Sequence, residues 1–379
     1  MEVLHTFSKV GQMNDSDWQT EGKATFRVGN AFYRPAGQMA RDLGVLAAAV
    51  HRADVGQLRV LDSMSGSGVR SLRYCLESQA DWVWANDSNP EISAVLRGNL
   101  ERSLPNSFKV THQDAKRVFL ECCDRHDFYD LVDVDCFGSP APYLSFCLGA
   151  VAIGGLLYVT STDGRSTTGH APDACLALYG SYARSHPAAH EQGLRILIGS
   201  IQQIAAAQEL GVEPMFSLFL GETYRVMLRL VARPQLDSQT YGLLGYCHRC
   251  GDYQTVSWRE LGRTNCAHDG HWLTIGGAMW LGALHNSKQL HKLASLADQW
   301  QWSKQSTLLN TMAEESDLPP YFYTLGEIGK RGKLDIPKRS HLIKTLQTMG
   351  YRACASHVNI QAIKTTATLQ TCIEAARHS

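Results

Sequence analysis

The chain has 379 residues, 44% hydrophobic and 19% charged, with 36 lysines plus arginines against 36 aspartates plus glutamates. Such values suit a globular protein of two domains with room for a third, and they exclude any argument from net charge for a nucleic-acid or membrane partner; an anion-binding surface has to be local. No run approaches the ~18 uninterrupted apolar residues of a membrane span, no charged start with an apolar core marks a signal peptide, and eleven cysteines, mostly scattered, fit a reducing, cytoplasmic setting.

Residues 1–35 are polar and mixed. Residues 36–53 repeat apolar side chains at helical spacing. LRVLD (58–62) reads as a short strand, and SMSGSGVRSLRYCLES as a Gly-rich turn entering a helix. WVWAND (82–87) is a second strand followed by a helix through Leu100, FKVTHQDA (108–115) a third strand, YDLVDVD (129–135) a fourth and GGLLYVTSTD (154–163) a fifth. Strand and helix alternating in this way imply right-handed crossovers and a parallel sheet. RILIGSIQQIAAAQEL (195–210) is a further helix, and residues 215–233 read as two strands joined by a turn around Glu222. A parallel sheet finished by an antiparallel hairpin is the layout of a Rossmann-like methyltransferase; a dinucleotide dehydrogenase more often continues the βαβ pattern. Arg233-Pro234 marks a boundary, giving expected domains at 1–233 and 234–379. Beyond it come a cysteine pair, the Gly-rich IGGAMWLG, a polar helical stretch from Lys288 to Glu315 and a basic segment.

Three successive strand ends carry binding chemistry. Asp62 precedes Gly66-x-Gly68, whose glycines let a ligand approach the backbone at a helix start. Asp87 follows nineteen residues after Gly68, where a carboxylate can accept from ribose hydroxyls. Asp114, in Gln113-Asp114-Ala115, is placed to touch a base. The alternative is glycines serving tight packing and acids serving as helix caps. At the fourth strand end, LVDVDCFGSP (131–140) puts Asp133 and Asp135 in an apolar run with Phe137 two residues on. Buried strands rarely hold two carboxylates without a role.

These stretches resemble the tRNA (guanine26-N2)-dimethyltransferase family, which uses S-adenosylmethionine. The similarity is carried by FYRPAGQMARD, LDSMSGSGVRSLRY, ANDSNPEI, QDAKRVF, DVDCFGSPAPYL, TSTDGR, HEQGLRILIG, AMWLGALH and GYRACASHVNIQAIKT, in family order through nearly the whole chain. The resemblance implies an α/β protein, a Rossmann-like class I methyltransferase sheet with a smaller α+β C-terminal domain that engages tRNA. It implies cofactor contacts at Arg41, Arg70, Asp87, Asp114 and Ala115, the two arginines clamping the cofactor carboxylate; an arginine early in a surface helix is otherwise a solvated face. It implies that Asp135 accepts hydrogen bonds from guanine N1–H and N2–H and takes up the N2 proton, and that Phe137 stacks on the extruded base. Phe32 resembles the second aromatic wall, the alternative being a hydrophobic staple into the first helix. Cys136 stands where the family motif has proline, which relaxes the turn. Asp133 reads as a strand-end acid or as paired internally.

CHRCG (247–251) and CAHDG (266–270) have the form of two metal knuckles, with fifteen residues between Cys250 and Cys266. A pair of such knuckles reads as a structural zinc site. Cys247, Cys250 and Cys266 supply three thiolates; the fourth ligand is Asp269 at the expected offset, or His268 or His271, and the alternative is a degenerate knuckle without metal. Residues 328–352 carry seven lysines and arginines against one aspartate, with Ser340 placed to cap a short helix, and suit phosphate contact or an ordinary solvated helix. The expected partner is tRNA, with no membrane and no obligate protein partner. The rival readings are methylation of another base amine of RNA or DNA, a non-catalytic RNA-binding protein with a methyltransferase-like fold, and a nicotinamide oxidoreductase.

Overall fold

The computed structural model of the protein describes residues 17–104 and 107–378. Strands β1 (Trp18–Glu21) and β2 (Ala24–Arg27) pair as a hairpin in what reads as an unpatterned polar start. Each strand has four residues and only Ala24 and Phe26 of β2 are apolar and fully buried, too few alternations to register as a strand.

The chain continues through α1 (Gln38–Val55), β3 (Arg59–Asp62), α2 (Val69–Leu76), β4 (Trp82–Asn86), α3 (Ser93–Ser103), β5 (Phe108–Thr111), α4 (Ala115–Asp124), β6 (Tyr129–Val134), α5 (Ala141–Cys147), β7 (Val151–Ser161), α6 (Gly164–Thr167), α7 (Pro172–Tyr179), α8 (Ala189–Ala206), β8 (Gly211–Leu220) and β9 (Thr223–Val231). One seven-stranded sheet runs in the order β5-β4-β3-β6-β7-β9-β8. Its first five strands are parallel, and β9 and β8 close it antiparallel. The sheet is that of a Rossmann-like methyltransferase, as the terminal hairpin in the sequence implied. β6 lies beside β3, so Asp135 emerges at the carboxyl edge next to the Gly-rich turn, where open α/β sheets bind ligands. β5 is shorter than FKVTHQDA suggested: it stops at Thr111 because Gln113 N–H turns back to Asn86 Oδ1 at 3.1 Å and Asp114 caps α4.

Then follow β10 (Tyr241–Tyr246), β11 (Tyr253–Val256), β12 (Thr274–Trp280), α9 (Ser287–Gln299), α10 (Ser303–Glu315), β13 (Tyr323–Thr324), α11 (Leu325–Gly332), α12 (Arg339–Thr348), β14 (Ala353–Ala355), β15 (Ala362–Thr365) and α13 (Leu369–Arg377). They add two three-stranded sheets, β11-β10-β12 and β13-β15-β14. IGGAMWLG, Gly-rich in sequence, is largely the strand β12 paired to β10. The polar stretch 288–315 is two helices, broken where Gln301 adopts φ +62° between Trp300 and Trp302. Ser340 lies inside α12; the cap is Lys338, without a side-chain hydrogen bond. Among the described residues no helix is long and apolar enough to cross a membrane.

Two apolar cores cover the two faces of the large sheet. Leu43, Leu46 and Leu72 share one with Leu290, Leu293, Leu309 and Met312 of α9 and α10. Val118, Leu144, Leu194 and Ile201 share the other with Phe322, Ile328, Leu342 and Ile363. Segments beyond Arg233 therefore pack on both faces. A buried ionic knot fastens them: Lys364 Nζ and Arg195 both bond Glu191 Oε1 at 2.7 Å, and Arg195 Nη1 donates to Trp280 O and Gly282 O at 3.1 and 2.8 Å. Glu315, nearby, accepts from His285 and His357. Two cations, Arg195 and Lys364, lie among two carboxylates, Glu191 and Glu315, and opposite charge nearby is the condition under which buried charge is tolerated.

Candidate active site and candidate metal centre

A cavity of ≈ 640 Å³ opens at the carboxyl edge of the sheet, within the range of about 300–1,000 Å³ usual for ligand sites, and its wall includes Phe32, Arg41, Gly66, Arg70, Asp87, Asp135, Phe137 and Arg225. Phe32 and Phe137 are 76% and 92% exposed. Exposed apolar groups gathered at one place mark binding surfaces, and these two line the same cavity; at 76% exposure Phe32 is not a staple packed under α1.

Asp135 sits one residue beyond β6, its side chain 27% exposed. Arg70 of α2 donates to Asp135 Oδ2 from Nε at 3.1 Å and from Nη2 at 2.9 Å, while its Nη1 holds Asp133 Oδ2 at 2.9 Å. Tyr74 Oη donates to the same Asp133 oxygen at 2.6 Å. Asp133 is thus paired internally, the second of the two roles its sequence position allowed. Burial works against charge on Asp135, but Arg70 and Arg225 outweigh it and hold the carboxyl down at about 2. Asp62 lies in register with Asp133 on the neighbouring strand; burial first, and Asp133 second, push it up to about 7. Asp62 thus tends towards the neutral form while Asp135 stays ionised at the cavity, its Oδ1 3.9 Å from Arg225 Nη2.

The loop that presents Phe137 is fixed without the proline of the resembling motif. Gly138 N–H donates to Thr162 Oγ1 at 2.8 Å, Thr162 N–H returns to Gly138 O at 2.9 Å, and Gly138 adopts φ +76°. Cys136 is buried, with its thiol on Thr160 O at 3.3 Å.

Asp87 accepts from Gly66 N–H at 2.9 Å through Oδ2 and from Asn89 N–H at 2.9 Å through Oδ1, which ties it to the Gly-rich turn. Gly66 has φ +53°, and a Cβ there would meet Phe32 O at 2.9 Å, so only glycine fits. Arg41 is buried and forked onto Glu21 of the N-terminal hairpin, with Nη2 also on Arg34 O; its Nη1 has no hydrogen bond among the described residues. Asp114 accepts from Lys116 N–H at 2.8 Å as the cap of α4, and neither it nor Ala115 is part of the cavity wall. The structure therefore gathers Phe32, Arg41, Arg70, Asp87, Asp135 and Phe137 around one cavity and leaves Asp114 and Ala115 outside it.

Two residues escaped sequence reasoning. Glu21 orients Arg41 and bonds Arg73 Nη1 at 2.8 Å, but nothing local distinguishes it. Arg225, inside the apolar run of β9, carried the signal of a charge in a buried strand.

In the second half, Cys247, Cys250, Cys266 and Asp269 bring four ligand atoms within 4.8 Å of one another. Cys250 Sγ lies 3.5 Å from Cys266 Sγ, and Cys247 Sγ 3.5 Å from Asp269 Oδ1; a tetrahedral ion with metal–sulfur bonds of ~2.3 Å needs sulfurs roughly 3.8 Å apart. The two knuckles share one turn: Gly251 N–H bonds Cys247 O, Gly270 N–H bonds Cys266 O, and both glycines have positive φ. Asp269 thus occupies the place in the second knuckle that Cys250 has in the first. His271 pairs with Arg249 at 2.8 Å, outside the cluster, whereas His268 groups with Cys250 and Asp252. The buried His285–Glu315–His357 cluster has ligand-like spacing, yet Ser217 N–H donates to His285 Nδ1 at 3.2 Å. The proton must then sit on Nε2, which donates to Glu315 and has no lone pair for a metal.

The basic segment is partly committed. Arg331 bonds Glu327, Arg249 O and His248 O, locking α11 to the first knuckle, and Arg339 bonds Ile360 O. Lys330, Lys333, Lys338 and Lys344 are exposed.

A family model described as N2,N2-dimethylguanosine tRNA methyltransferase matches residues 14–377. A tRNA (guanine(26)-N(2))-dimethyltransferase of Pyrococcus furiosus is 30% identical over 94% of this chain and 97% of its own length, and one of Methanocaldococcus jannaschii 28% identical over 94% and 97%. The solved structure of Trm1 from Pyrococcus horikoshii with S-adenosyl-L-methionine superposes with a TM-score of 0.83 at 26% identity, covering 94% of this chain and 99% of that one.

Proposed function

The chain belongs to the N2,N2-dimethylguanosine tRNA methyltransferase family, and from that premise we propose that it transfers methyl groups from S-adenosylmethionine to the exocyclic N2 of guanine 26 in tRNA, giving N2,N2-dimethylguanosine. The observation that carries the reading is an ionised, partly exposed Asp135 in one cavity with two exposed aromatic rings. Liquid chromatography–mass analysis of nucleosides from a tRNA transcript incubated with enzyme and cofactor should show the dimethylated nucleoside. A transcript returned unmodified, or modified at another base, would overturn the reading.

The cofactor fits the Gly-rich side of the cavity. Asp87 would take the ribose hydroxyls, Gly66 allows close backbone approach, and Arg41 would offer Nη1 to the carboxylate; Asp114 and Ala115, at the next strand end beyond the cavity wall, would meet only an adenine that reaches past Asp87. When bound, S-adenosylmethionine supplies an electrophilic methyl group. Arg70, committed to two carboxylates, orients the acid instead. Asp87→Ala should weaken cofactor binding by about 2–3 kcal/mol, the cost of losing charge-assisted hydrogen bonds, with the fold retained. Unchanged affinity by calorimetry would place the ribose elsewhere.

Guanine N2 is a poor nucleophile because its lone pair is delocalised into the ring. Asp135, accepting from N1–H and N2–H, raises electron density at N2. A carboxyl held near 2 is a weak base, but the N2 proton becomes strongly acidic as the methyl arrives, so it passes to Asp135 without a stronger acceptor. Phe32 and Phe137 hold the extruded base between them. A second transfer needs the monomethyl product to turn its remaining proton toward Asp135. The four knuckle residues would hold a structural Zn²⁺, the exposed lysines of residues 328–352 would follow the tRNA backbone, and a reducing cytoplasm agrees with all eleven cysteines being unpaired. Residues 1–233 would then be the catalytic domain and 234–379 the tRNA-engaging one.

A further inference from the structure

Arg225 differs from the buried arginines around it. Arg41, Arg70, Arg73 and Arg195 are each bonded to carboxylates. The Arg225 guanidinium makes no hydrogen bond among the described residues, and the carboxylate within 4 Å of it there is Asp135, whose Oδ1 lies 3.9 Å from Nη2. Its Nε is fully buried without a partner, and the side chain is 11% exposed. A guanidinium with five donors and no acceptor is an unfavourable thing to bury unless a ligand completes it. Arg225 stands in β9 opposite Thr160 of β7 and on the wall of the catalytic cavity.

Its position beside Asp135 suggests the acceptor. The Watson–Crick edge of guanine presents N2–H, N1–H and O6 in sequence: two donors and an acceptor. The complement is two acceptor positions followed by a donor, which a carboxylate and an adjacent guanidinium supply. Adenine offers an amine donor next to the N1 acceptor and cannot match that order. Resting on the reading of guanine as substrate, we propose that Arg225 donates to O6 of the target guanine while Asp135 holds N1–H and N2–H, so that Arg225 is the residue that selects guanine from other purines.

The test uses tRNA carrying 6-thioguanine at the target position, which keeps N1–H and the 2-amino group but replaces O6 with sulfur, a weaker acceptor. Wild-type protein should methylate it with kcat/KM lowered on the order of 10-fold. Arg225→Met should lose on the order of 10- to 100-fold on guanine, bind S-adenosylmethionine normally, and treat the two bases alike. Arg225→Lys, which keeps a cation and donors, should retain part of the discrimination and is the variant to read if methionine prevents folding. Wild-type turnover that ignores the sulfur overturns the proposal. So does an Arg225→Met protein that discriminates as sharply as wild type, or one whose defect is only in cofactor affinity, which would assign Arg225 to the cofactor carboxylate. Wild-type protein inactive on both RNAs would instead remove the guanine reading itself, and this proposal with it.

Discussion

Asparagine in place of Asp135 should lower the single-turnover rate of methyl transfer at the upper end of the ~10²–10⁴ range expected for a lost general base, while cofactor and tRNA affinities hold. The surroundings make the substitution more severe than a loss of charge. Arg70 directs two N–H groups at Oδ2, so an amide will turn its oxygen to Arg70 and its NH₂ to the cavity, facing the guanine N–H donors. Phe137→Ala should behave differently, weakening productive tRNA binding through lost stacking worth ~1–3 kcal/mol. Single-turnover rates measured beside equilibrium binding separate the two roles. Near-normal turnover by the asparagine variant would reduce Asp135 to a strand-end cap.

Removal of zinc should have the largest effect on stability. Purified protein should carry about one equivalent of zinc, and a strong chelator or Cys250→Ser should lower the melting temperature of the C-terminal half first, because structural zinc contributes on the order of 10–16 kcal/mol of apparent binding free energy in isolated knuckles. The damage should reach α11, since Arg331 is anchored on the carbonyls of His248 and Arg249 inside the first knuckle. Among the fourth-ligand alternatives, Asp269→Ala should release metal and His271→Ala should not. Metal-free protein with full activity and unchanged melting would retire the zinc site.

Much of the sheet and of the cavity at its edge is legible in the sequence because both depend on short-range rules. Strands and helices alternate from Arg59 to Ala206, and the hairpin Gly211–Val231 ends the sheet; periodicity and turn residues are properties of neighbours. A parallel sheet then places every strand end on one edge, so Asp87 and Asp135 meet at a cavity though 48 positions separate their numbers. The knuckles, too, announce themselves by spacing.

The choice of ionic partners is another matter. Arg41 reads as a cofactor clamp, yet its fork is taken up by Glu21, a residue of a hairpin too short to detect. Arg70 reads the same way, but the sheet register puts Asp133 and Asp135 within its reach, 63 and 65 positions along. HEQGLRILIG, AMWLGALH and GYRACASHVNIQAIKT mark the chain as similar to a family without saying why; folded, they converge as Glu191, Arg195, His285, His357 and Lys364 in one knot, with Lys364 bonded across 173 positions. Sequence by itself determined the sheet, the acids at its edge and the cysteine spacing, since each follows from local patterning. Only the tertiary structure decided which cation neutralises which acid and which donors stay free for a ligand, because in a buried site the partner is whatever the packing of distant segments brings within ~3 Å.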